Sequence, residues 1–198
     1  MFRINSYFKV LMEKQTYKNI LYLLLSFPLG IFYFVFLMTG LTLGFGLIVI
    51  LVGIPILFII LILSRILVNF EISILNNLLN TNINPLAIYE YEEVNIFQKV
   101  KKQLSNSVTW KGIIYLFLRF PLGIFSFTIT ISLLSVSLVF LSAPLTYQFS
   151  YISFGNYQIN NLFTALLMSF VGIILTIIST NILNHLTFLI KKYSNEFL

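Results

Sequence analysis

Acid–base catalysis needs a carboxylate, imidazole or thiolate set against a partner, and this chain is sparing with all three. Its acidic side chains are six glutamates, Glu13, Glu71, Glu90, Glu92, Glu93 and Glu196. It has one histidine, His185, and no cysteine. Disulfide, thiol and cysteine–zinc chemistry are therefore excluded. A lone histidine falls short of the three or four ligands that zinc takes. His185 follows Asn181 and Asn184 and reads as an interfacial residue, with proton sensing as the alternative. All six glutamates are expected outside the apolar stretches, which leaves no intramembrane carboxylate pair for acid–base work. No phosphate-cradling glycine loop or metal-ligand cluster is present. The residues predict neither an enzyme nor a cofactor.

Two arginines and a set of tyrosines remain. Arg119 is expected to snorkel to the membrane interface or to bond helix-end carbonyls, with a ligand or lipid-phosphate contact as the alternative. Arg65 reads as an interfacial anchor. Tyr17, Tyr22, Trp110 and Tyr115 fall where an aromatic belt would lie. Tyr147, Tyr151 and Tyr157 form an uncharged aromatic loop able to touch a small apolar ligand.

The elements that position these residues follow from composition. The chain of 198 residues is 59% hydrophobic and 9% charged, against about 25% charged in an average soluble domain. Residues 20–64 contain no charge, too long for one membrane span of about 20 residues and suited to two. Spans are expected near 20–39 and 47–67, broken by Gly40, Gly44 and Gly46, with a kink at Pro55. Further spans are expected near 113–141 and 162–183, the last extending toward Lys191. No cleavable signal peptide is evident.

These spans divide the chain into a polar segment (1–19), a first transmembrane hairpin (20–68), a cytoplasmic or interfacial linker with an amphipathic helix (69–112), a second hairpin (113–190) and a tail (191–198). The twelve basic residues fall in or beside the first, third and last of these segments, or at span ends. By the preference of lysine and arginine for the cytoplasmic side, both termini and the linker are cytoplasmic, in the cell membrane. The net charge of +6 reads as topology and contact with anionic lipid, and no nucleic-acid partner is expected.

The second hairpin repeats the first. Residues 17–34 and 110–127 are identical at twelve of eighteen aligned positions, including Tyr22/Tyr115, Pro28/Pro121 and Gly30/Gly123. The expected architecture is all-α, with four transmembrane helices arranged as two parallel-repeat hairpins about a two-fold along the membrane normal. Each proline frees a carbonyl one turn earlier and bends its helix. Each glycine two residues on lets another helix approach. Pro28, Gly30, Pro55, Pro121 and Gly123 are thus either a packing device or a relay joint.

"YLLLSFPLGIFYFVFLMTGLTLGFGLIVILVGIPILFIILILSR", "WKGIIYLFLRFPLGIFSF" and "SAPLTY" resemble the sensor-domain family of bacteria and archaea described as "Putative sensor", over residues 17–193. The resemblance implies four membrane helices and a sensory role, often ahead of a histidine kinase. No kinase or other output domain is read within the chain. The expected function is a membrane-embedded sensor that relays an envelope or membrane stimulus to a cytoplasmic or membrane partner, such as a histidine kinase. The alternative is a small oligomeric transporter or channel for a neutral or lipid-like substrate. The expected partners are the bilayer, a signalling protein and a second copy of the chain.

Overall fold

The computed structural model describes residues 13–87, 96–147, 153–154, 157–158 and 161–198. Among these, the helices are α1 (Lys14–Gly46), α2 (Gly53–Leu79), α3 (Ile96–Leu104), α4 (Ser107–Thr146) and α5 (Leu162–Phe197). A 3-10 turn, Ile48–Ile50, joins α1 to α2. Between α4 and α5, β1 (Ser153–Phe154) pairs antiparallel with β2 (Tyr157–Gln158). The expected all-α class with four spanning helices holds, for α1, α2, α4 and α5 are each long and apolar enough to cross a membrane.

The helices are turned inside out relative to a soluble bundle. Phe125, Leu138, Phe163 and Phe170 face outward, while Ser26, Thr130, Ser137 and Ser179 are buried. Lipid solvates leucine and phenylalanine as well as a core would, so packing is left to small side chains that bring backbones close. Gly40 meets Ile60 and Gly44 meets Leu57 across α1–α2. These glycines do not break α1 as expected; they form its contact face, and the turn comes after Gly46. Pro55 also departs from expectation. It sits in the first turn of α2, where backbone N–H groups have no helical partner to lose, so no kink is required there.

Pro28 and Pro121 lie inside α1 and α4, as the repeat requires. The two copies cross beside them. A Cβ on Gly30 would stand 2.9 Å from the Arg119 carbonyl, and one on Gly123 2.5 Å from the Ser26 carbonyl. Phe34 stacks on Phe120 at 4.6 Å, and Phe27 on Phe127 at 4.9 Å. The contact is reciprocal: each residue of one copy meets the counterpart of its own partner in the other.

Its direction corrects the parallel arrangement. Residue numbers fall along α4 as they rise along α1. Along α2 and α4 they rise together, from Arg65–Thr109 through Val68–Gly112 to Glu71–Arg119. The copies therefore meet head to tail, and their tips leave the contact at opposite ends.

The reason is the route of the segment after α2. The expected linker from residue 69 is helical as far as Leu79, and Asn80 then turns the chain back in a left-handed conformation. The Asn76 carboxamide exchanges hydrogen bonds with the backbone of Ile83, and Asn69 does the same with Leu86. Two turns of helix separate these asparagines, so they receive an extended strap returning along α2. The strap carries the chain back to Arg65 before α4 begins.

Replacing Gly123 with alanine forces backbone away from backbone, because the nearest atoms belong to Ser26 and Phe27. Gly123→Ala is expected to cost about 1–3 kcal/mol. Gly46→Ala, with nothing within 4 Å, is expected to be close to neutral. Thermal unfolding followed by circular dichroism in detergent checks both.

Candidate functional site

The most polar point of the apolar bundle is Glu71, on α2, with none of its side chain exposed. Its Oε1 lies 2.9 Å from Nε of Arg119, whose side chain is 2% exposed. Tyr22 donates its hydroxyl to Oε1 at 3.3 Å, and Tyr33 donates to Oε2 at 3.0 Å. Nη2 of Arg119 donates to Ser26 Oγ at 3.1 Å, and that hydroxyl donates to the Tyr22 carbonyl. The guanidinium also lies over the Tyr22 ring, 4.7 Å from its centroid, where the negative face of the ring attracts a cation.

Helical spacing accounts for the cluster. Tyr22, Ser26 and Tyr33 recur at intervals of four and seven along α1, so they share one face. The proline–glycine crossing sets that face against Arg119. The arginine stands where the first copy has Ser26, and the reciprocal contact brings it onto that serine. Unpaired, either charge would be strongly unfavourable in this environment. Together they join α2 of the first hairpin to α4 of the second, with α1 supplying the hydrogen bonds.

Several expectations are corrected here. Arg119 does not snorkel; it is buried and paired. Glu71 is not outside the bundle but at its centre. Arg65, expected as an interfacial anchor, is 4% exposed and donates to Thr109 Oγ1 at 2.6 Å and to the Ala87 carbonyl. Tyr22 and Tyr115 are not belt residues. Both are buried, and the Tyr115 hydroxyl lies 3.1 Å from that of Ser194. Tyr17, Trp110 and His185 are exposed.

Pro28, Gly30, Pro121 and Gly123 are brought together at the crossing, whereas Pro55 lies with the α1–α2 turn. Tyr147 ends α4 and is partly buried. Tyr151 and the side chain of Tyr157 lie outside the described residues. The signal that could have found Glu71 is its spacing from Arg65: six residues, both on a helix that runs past the charge-free stretch.

The ends of three helices meet near a second polar group. Gln15 donates to the Leu78 carbonyl, and Asn19 donates to Asn184. Lys191 Nζ donates to the carbonyls of Leu79 and Asn80 at 3.1 and 2.9 Å. A cation there satisfies the free carbonyls and the negative dipole end of α2. The start of α1, the end of α2 and the last turns of α5 thus lie together.

Removing one partner leaves the other charge buried. Glu71→Ala is expected to destabilise the protein by about 3–5 kcal/mol. The double replacement Glu71→Leu with Arg119→Met is expected to recover most of that loss, because it removes both desolvated charges. Thermal unfolding of the two variants in detergent decides; equal losses would contradict the pairing.

No curated protein and no solved structure matches the chain. Residues 22–197 match the model of the family described as "Putative sensor". They take in both hairpins, the strap and every member of the Glu71–Arg119 cluster, and the chain belongs to that family.

Proposed function

We propose that the protein is a membrane-embedded sensor in which the Glu71–Arg119 cluster holds two helical hairpins in one of two arrangements. The observation that carries this reading is the buried ion pair joining α2 to α4. A signalling module needs two states that a stimulus can tell apart. A charge pair across a helix interface supplies such a pair of states: closed, with both charges matched, or open, with both hydrated. Intermediate separations are penalised, because each leaves a charge without partner or water. The close crossing at Gly30 and Gly123, beside the ion pair, supports a pivot there.

In this reading an envelope or membrane stimulus shifts the hairpins, and the segments on the side of the termini pass the change to a cytoplasmic or membrane partner. A histidine kinase is the partner this family suggests, and the role of the present chain beside it would be non-catalytic. Lysines at the start of α1, in α3 and at the end of α5 are the support for a cytoplasmic position of both termini.

A second reading, a small transporter for a neutral or lipid-like substrate, draws on the same pair. Intramembrane ionisable residues often mark transport pathways, and inverted repeats are a transporter feature. Against it, both charges are closed off by protein groups.

The chain has no cysteine, so spin labels can be introduced at will. With labels at Leu43 and Leu145, exposed near the two hairpin tips, the intact cluster is expected to give one principal distance in nanodiscs. Glu71→Gln is expected to populate a second. An unchanged single distance in that variant would overturn the lock. Flux in reconstituted vesicles that Glu71→Gln abolishes would favour the transporter.

A further inference from the structure

We propose that the surface formed by α3 and the first turns of α4 docks the anionic headgroups of bilayer phospholipids. The proposal is independent of whether the hairpins separate. α3 has one face committed to the protein: Gln103 is buried and Leu104 packs against the hydrophobic core. The other face is open. Phe97 is 65% exposed, and Lys101 and Lys102 point to solvent. On α4, Trp110 is 40% exposed. Lys111 is exposed as well and lies one turn beyond Ser107, on the same helix face.

Lys101, Lys102, Ser105, Asn106 and Ser107 line an open cleft of about 620 Å³ between the two helices. No acidic residue occurs between residues 96 and 112. None of the three lysines makes an ion pair with a described residue. The indole N–H of Trp110 donates to the Leu104 carbonyl at 2.7 Å, which fixes the ring against the end of α3. An exposed indole and phenyl beside exposed lysines, at the head of a helix apolar enough to span, is the composition of a membrane interface with negative charge. A free-standing phosphate would not need the aromatic rings, and a nucleic-acid surface would not adjoin a spanning helix.

Trp110 is the only tryptophan in the chain, so its fluorescence reports this surface alone. The full chain is reconstituted in vesicles of phosphatidylcholine with a minority of phosphatidylglycerol. Bromine is placed on the acyl chains of one lipid or the other, at equal brominated fraction. Brominated phosphatidylglycerol is expected to quench Trp110 more strongly than brominated phosphatidylcholine. The Lys101→Gln, Lys102→Gln, Lys111→Gln variant is expected to lose that excess, with the lipid preference weakened roughly fivefold per lysine. Lys14→Gln with Lys18→Gln, on α1, is expected to keep it. Equal quenching by the two lipids would overturn the proposal and leave the surface to a protein partner. So would an excess that survives the triple variant. Loss of the excess in inorganic phosphate, but not in chloride of equal ionic strength, would assign the site to free phosphate instead.

Discussion

The structure depends on one ion pair. Glu71 and Arg119 lie where neither water nor a snorkelling path is available to either, so each tolerates burial only because the other is there. Such a pair need not add net stability, since the desolvation of both charges offsets much of their attraction. What it adds is a condition on geometry. α2 and α4 must stand at the separation and rotation that bring a carboxylate to a guanidinium, and α1 must present Tyr22, Ser26 and Tyr33 to the remaining lone pairs and protons.

That condition is met by the way the repeat is used. The Phe-Pro-Leu-Gly phrase occurs in both copies, and the two phrases lie against each other at the crossing, with Gly30 and Gly123 each admitting the other helix's backbone. The copies differ at the one position that matters for charge: serine in the first, arginine in the second. The recurring phrase thus forms a symmetric packing device, and the single charged difference within it makes that contact a specific one.

The polar residues between the hairpins belong to the same construction. Asn69 and Asn76 hold a returning strap on α2, Arg65 ties it to the start of α4, and Lys191 closes the free end of α2. In a chain that is 9% charged, several of its charged side chains close the bundle from within, while α3 and the head of α4 leave lysines and aromatic rings on the outside.

Composition and periodicity by themselves determined the class of protein. Lipid leaves a long apolar stretch no alternative to the helix, since every backbone group must be satisfied internally. Four helices long and apolar enough to span, and the prolines and glycines of the repeated phrase, are therefore legible residue by residue. The orientation of the copies was not, because a repeat states that two segments fold alike and says nothing of how they face. Orientation was set by the strap, whose asparagines look like any polar linker until their carboxamides meet a backbone. The pairing of Glu71 with Arg119 was hidden for a related reason. They lie 48 positions apart on different hairpins, and a charge read alone is assigned to water. Only the tertiary fold decided that each would be taken out of solvent, because only the fold supplies the partner that makes burial bearable.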